Sequence, residues 1–214
     1  YVLDDPFCPT SAETKAVLEQ ALNAAEKAGC KLVEGWPQGI DPKRQFENYT
    51  YVLFAILDAA APPDQLARIK ELAEQGDPIS QIRQRASTDP SKALGMQLMM
   101  QKASRMQWQA YFNDVDVFLS PVTFTPAIKH DHSELPTRTV PGDNGDRSYM
   151  DLLGWICHAT YNGLPATAMP AGLSAGGLPV GLQITGPFLE DGTTIDFAAR
   201  LSADVGGYQA PPGF

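Results

Sequence analysis

Residues 162–187 read Asn162-Gly163-Leu164-Pro165-Ala166-Thr167-Ala168-Met169-Pro170-Ala171-Gly172-Leu173-Ser174-Ala175-Gly176-Gly177-Leu178-Pro179-Val180-Gly181-Leu182-Gln183-Ile184-Thr185-Gly186-Pro187, and the fold turns on how they are parsed. Ala166 to Gly172 and Val180 to Gly186 read as strands. Between them, Ser174-Ala175-Gly176-Gly177 offers glycines that adopt the positive φ of a tight connection, so a β-hairpin is expected. The same stretch holds Gly172-Leu173-Ser174-Ala175-Gly176, which matches the G-x-S-x-G nucleophile elbow. An elbow needs a helix after the serine and a histidine further along the chain. Here the following segment carries Pro179 and Gly181, and the last histidine is His158, so the hairpin turn is the reading kept.

Working outward, Asp191 to Val205 has a helical pattern that stops at Gly206-Gly207. Upstream, Tyr149 to Tyr161 looks helical. Residues 120–148 show no periodicity but contain Pro121, Pro126, Pro136, Pro141, Gly142 and Gly145, and form a proline-rich loop. Loops longer than about 12 to 15 residues are uncommon in compact domains and tend to be functional or disordered. Val115 to Leu119 is short, β-branched and apolar, as a buried strand would be.

The first third alternates. Thr10 with Glu13 makes a capping box ahead of Val17, Leu18, Ala21, Leu22, Ala25 and Ala28 at helical spacing up to Gly29. Tyr1 to Leu3 before it and Lys31 to Val33 after it read as strands, giving a parallel crossover. From 37 to 113 the signals are helical. Phe46, Tyr49, Val52, Leu53, Ile56 and Leu57 share one side, Pro62-Pro63 breaks the run, and Asp64 to Gln75 forms a second helix stopped by Gly76. Asp77-Pro78 and Asp89-Pro90 each place a capping acid before a proline at the first helical position. Strands alternating with helices, then a hairpin, argue for an α/β mixed sheet flanked by helices.

Composition excludes several classes. With 214 residues, 43% of them hydrophobic, the chain can bury a core, and a net charge of −9 leaves no basic surface for nucleic acid. No segment approaches the roughly 18 to 20 apolar residues that span a bilayer. A soluble, cytoplasmic protein without nucleic-acid or membrane partners is expected. Cys8, Cys30 and Cys157 are odd in number and widely spaced, as buried free thiols are. The chain opens on Tyr1 without an initiator methionine, within what reads as a strand under way, so it is expected to begin mid-domain.

Independent chemistry is hard to find. His130-Asp131-His132 with Glu134 has the donor types of a zinc or iron site, but in a loop without a third histidine it reads as a polar loop. His158, among Ile156, Ala159 and Tyr161, reads as a core histidine. Gly176-Gly177 lacks the Lys-Ser/Thr of a phosphate loop, and Gly206-Gly207 closes a helix instead of opening one. No Ser-His-Asp set follows from order and spacing. No catalytic residue, metal ligand or cofactor is assigned.

Three stretches together carry a family resemblance. Asp116-Val117-Phe118-Leu119-Ser120-Pro121-Val122-Thr123-Phe124-Thr125-Pro126-Ala127 closely resembles the strand and proline loop of the amidase signature family. Asn162 to Leu173 is similar to its G-L-P-A strand, and Gly177 to Pro187 to the G-L-P-x-G-x-Q-x-x-G-P strand that follows. Pro211-Pro212-Gly213-Phe214 at the end agrees with the same pattern. The resemblance spans essentially residues 1–214 and implies the C-terminal part of a single α/β/α amidase domain whose mixed sheet is shared by both halves of a longer chain. It implies hydrolysis of carboxylic amides by a serine, a second serine with a cis peptide and a lysine base. Those belong to a Gly/Ser-rich run in the family's N-terminal half, and no such run exists here.

What this half is expected to contribute is a pocket wall. The resemblance places the loop from Ser120 near the substrate cleft and the Tyr149–Asn162 segment close by, making Thr123, Phe124, Trp155 and Asn162 the candidate substrate-binding residues. The alternative for Phe124 and Trp155 is that they fill the core. Expected partners are the N-terminal half of the amidase, a small amide substrate and a second copy of the chain. The competing function class is a non-catalytic binding or assembly module that keeps the half-sheet as an interaction surface.

Overall fold

The computed structural model describes residues 1–210, so the Pro211-Pro212-Gly213-Phe214 motif lies outside the described residues. In chain order the helices are α1 (Ala12–Lys27), α2 (Pro42–Leu57), α3 (Pro63–Glu74), α4 (Pro78–Thr88), α5 (Ser91–Tyr111), α6 (Cys157–Asn162) and α7 (Asp191–Val205). The strands are β1 (Phe118–Pro121), β2 (Thr139–Val140), β3 (Arg147–Ser148), β4 (Ala166–Leu173) and β5 (Pro179–Thr185).

The expected hairpin forms. β4 and β5 pair antiparallel from Ala166 opposite Thr185 to Leu173 opposite Pro179. The turn is closed by Ser174 N–H donating to Leu178 O and back by Leu178 N–H donating to the Ser174 hydroxyl, with Gly177 at φ +77°. β5 is central, flanked by β4 and by antiparallel β1, in the order β1-β5-β4. Pro170 sits in β4, whose outer edge is unpaired among the described residues, so a missing N–H there costs no ladder bond.

The crossover also forms, as extended backbone. The Tyr1 amino group donates to Val33 O at 2.7 Å and Gly35 N–H donates to Tyr1 O at 2.9 Å, the bond pattern of parallel pairing. Val2 N–H donates to Leu119 O, so residues 1–3 lie beside β1, but neither 1–3 nor 31–33 is a strand of the sheet, whose members are β1, β5 and β4.

Alternation along β1 and β5 sends side chains to two layers. Leu119, Leu182 and Ile184 meet Leu18, Ala21 and Leu22 of α1 and Ala198 and Leu201 of α7. On the opposite face Phe118 joins Trp108, Phe124, Val140 and Trp155, and Gln183 Nε2 donates to the Ser120 hydroxyl and to Trp155 O. Helices on both faces make this an α/β/α arrangement. α2 packs beside α6 through Phe46, Tyr49, Cys157 and Tyr161, and α4 packs against α2 and α3. Among the described residues, no helix is long and apolar enough to cross a membrane.

Several local expectations are corrected. The cap of α1 is Ser11, whose hydroxyl accepts from Thr14 N–H, and the Thr10 N–H that Glu13 would reach in a capping box is given to the Asp4 carboxylate at 3.0 Å. Asp77 caps α4 as expected, but α5 starts at Ser91 and Asp89 instead accepts from the Tyr51 hydroxyl. Ile56 and Leu57 are exposed, since the buried side of α2 runs through Phe46, Thr50 and Phe54. The strand expected at 115–119 lies at Phe118–Pro121, where it can pair with β5. Residues 149–161 divide into a 3₁₀ turn, Tyr149–Leu153, and the short α6. The 120–148 loop holds a 3₁₀ turn at Leu135–Thr137 and the small β2–β3 ladder.

Candidate active site wall

A cavity of about 520 Å³ opens where the loop after β1 crosses the hairpin. Three parts of the chain build it. Val122, Thr123 and the run from Thr125 to Ile128 come from the loop, Ala168 to Pro170 from β4, and Pro179 to Gly181 from β5, with Thr14 of α1 and Leu152 completing the lining. Loop and strand approach so closely that a Cβ on Gly181 would lie 3.0 Å from Val122 Cγ2.

The loop is held down at several points. Ser11 N–H donates to Phe124 O at 2.7 Å, and Ala12 N–H donates to the Asp143 carboxylate at 2.7 Å, so the loop caps the first turn of α1. Arg147 ties the same region together. It donates to Asp151 and to Pro9 O, approaches Cys8 Sγ, and lays its guanidinium 3.9 Å from the centre of the Phe124 ring. Thr123 spends its hydroxyl proton on Thr125 O, and Thr14 accepts from the Ser11 hydroxyl at 2.9 Å.

The four residues singled out from sequence do not come together. Thr123 lines the cavity. Phe124, Trp155 and Asn162 are interior, at 1%, 1% and 0% exposure, and none belongs to the lining. Phe124 is clamped under Arg147. Trp155 stacks on Trp36 at 6.0 Å. Asn162 donates to His158 O, while its own backbone carbonyl accepts from Arg105. Aromatic and amide side chains beside a proline loop suit wall and core equally in one dimension, and here the core took them. The lining also includes Thr14, Val122, Met169, Pro170, Pro179 and Gly181, which the sequence did not single out. Their signals were a lone threonine in an otherwise apolar helix stripe and a local density of proline and glycine, neither of which names a wall.

The lining can bind but holds no attacking group with a base. Ser174 is used in the hairpin turn, away from the lining. Ser120 is buried under Gln183. His158 is fully packed: Gln45 Nε2 donates to the Ser104 hydroxyl, which leaves Gln45 Oε1 to accept from His158 Nδ1 at 2.7 Å. Burial without a neighbouring carboxylate drives the His158 pKa down to about 3, so the ring is neutral. His130 and His132 are exposed in the loop with rings 6.2 Å apart. Among the described residues, no three His, Cys, Asp or Glu side chains converge as a metal site would require.

Comparison with known proteins agrees with the fold and covers nearly the whole chain. The family model described as Amidase matches residues 1–195. An acylamidase of Rhodococcus erythropolis is 28% identical over 200 residues, which is 89% of this chain and 39% of that protein. Among solved structures, a bacterial aryl acylamidase of the amidase signature family superposes with TM-score 0.67 at 16% identity, over 95% of this chain and 43% of its own. Another crystal structure of an amidase gives TM-score 0.68 at 20% identity, over 96% and 45%. The chain thus spans less than half the length of these relatives.

Proposed function

Because the chain belongs to the amidase signature family, we propose that it supplies one wall of an amide-hydrolysing pocket and part of the sheet, while the serine nucleophile, the second serine and the lysine base reside on the remainder of the domain. One observation carries this reading. The cavity borders β4, whose outer edge is unpaired among the described residues, and its lining contains threonine hydroxyls and apolar groups but no nucleophile paired with a base. An unpaired edge is a template for strand addition, and a strand added there would run past Ala168 to Pro170, at the rim of the cavity.

The role of these residues is then to seat the substrate and keep water out. Val122, Ile128, Leu152 and Met169 present hydrocarbon to whatever flanks the amide, and a dry wall strengthens the hydrogen bonds and charges that act on the carbonyl from the other side. Positioning of this kind lowers the barrier without the wall touching the reacting atoms. Activity alone is not expected of these residues.

The test is amide hydrolysis, followed by ammonia or amine release, for residues 1–214 alone and for the same chain supplied with the N-terminal portion of an amidase signature protein. Background release from the chain alone and turnover from the pair are expected. Turnover by the isolated chain that disappears in Ser174→Ala overturns the reading. A second reading, an assembly module without catalysis, draws on the outward face of α5, where Met96, Met99 and Met106 are exposed. It requires stable association and no hydrolysis in the same assay.

A further inference from the structure

We infer that the cavity takes the uncharged, apolar part of its amide, an aryl or branched alkyl group, and rejects amides that carry a free carboxylate next to that part. The inference rests on the amide-hydrolysing reading and narrows it to a substrate class.

Among the described residues, the lining holds no charged side chain. Val122, Ile128, Leu152, Met169 and Val180 present only hydrocarbon and a thioether. Its polar side chains are three threonines, of which Thr123 donates its hydroxyl proton to Thr125 O and Thr14 Oγ1 accepts from Ser11. A carboxylate seated against this wall would exchange hydration for at most neutral threonine hydroxyls, with no cation to pair it.

Three nearby sources of positive charge are already committed. The first turn of α1 is the natural anion site, but Ala12 N–H is taken by Asp143. Arg147 is engaged by Asp151, by Pro9 O and by the Phe124 ring. Lys15 pairs with Asp4 at 3.3 Å. Lys129, next to Ile128, is exposed and outside the lining. The volume of about 520 Å³ lies in the small-molecule range, and most of its lining is apolar.

Methionine methyl resonances test this directly. Met169 lines the cavity, and the other methionines do not. The chain 1–214, labelled with ¹³C at the methionine methyls, is titrated into the millimolar range with acetanilide, a neutral aryl amide, and separately with L-glutamine. A saturable shift of Met169 with acetanilide, none with L-glutamine, and still resonances elsewhere is the expected result. Val122→Asp, which places a carboxylate on the wall, should weaken the acetanilide response about tenfold or more. The unmoved resonances of the remaining methionines report that the variant is folded, and the wild-type comparison stands without it. L-glutamine shifting Met169 as strongly as acetanilide overturns the inference and leaves amide hydrolysis intact. No shift with either ligand also overturns it, and the hydrolysis assay then judges the broader reading separately.

Discussion

Arg83 and Asp58 meet in a two-pronged ion pair, with Nη2 and Nε 2.8 and 2.9 Å from the two carboxylate oxygens and both side chains buried. The pair joins α4 to the turn that follows α2, and the guanidinium also lies 4.3 Å from the centre of the Phe54 ring. Removing one partner strands the other charge away from water. Asp58→Ala should therefore cost about 3 to 5 kcal/mol. Urea unfolding checks the value, and a paired Asp58→Leu, Arg83→Met variant should recover most of the loss if stranded charge is the cause.

His158 sets a pH dependence whose direction follows from its burial. Its pKa falls from 6.5 in the open chain to about 3 in the fold. The unfolded chain therefore takes up the proton first, so the stability is complete above pH 6.5 and drains as pH falls toward 3. The slope is roughly 1.4 kcal/mol per pH unit. Unfolding free energies of wild type and His158→Gln, measured from about pH 7.5 to about 4, should converge on acidification. Parallel curves would refute the assignment.

Gly154 is fixed by its neighbours. A Cβ there would meet Cys8 Sγ at 2.6 Å and Asp151 O at 3.0 Å. Gly154→Ala should destabilise the fold by about 1 to 3 kcal/mol. Adding Cys8→Ala should return part of that loss and leave the backbone clash, so a thermal-melt cycle over the two sites should be non-additive.

The thiols should separate by reactivity. Burial pushes Cys8 up to about 11 and Cys157 well above its ordinary value, with Cys157 fully enclosed. Cys30 is half-buried. Thiolate, the reactive form, is therefore scarce at the first two sites. Labelling of the native protein with a chromogenic disulfide should reach Cys30 first, with Cys8 and Cys157 following only on unfolding. Equal rates at all sites would count against the packing described around Gly154.

The hairpin, α1, α4 and α7 were legible because local chemistry and tertiary demand agree there. Gly177 supplies the turn, Asp77 the cap and Gly206 the stop. Errors arose where a polar group has its partner elsewhere. Asp89 accepts from Tyr51 instead of capping, and the Thr10 backbone N–H, which Glu13 would reach in a capping box, goes to Asp4. The cavity was the least legible part. Its wall draws on Thr14, the 122–128 loop, Leu152, β4 and β5, and nothing periodic in the chain links them. Trp155 and Asn162 lay near the resembling motifs but were drawn into the interior by Trp36 and by the backbone of His158.

Pro126, Pro170, Pro179 and Gly181 make much of the cavity wall out of backbone. Rings locked at one φ and a residue without a side chain have no rotamers to freeze when a ligand arrives, so the surface neither tightens around a poor fit nor relaxes to admit a larger one. Adaptability is left to the thioether of Met169, the most pliant group facing the space. A change in the shape of this cavity would therefore come first from a substitution at residue 169 or at Val122, long before the loop was rebuilt.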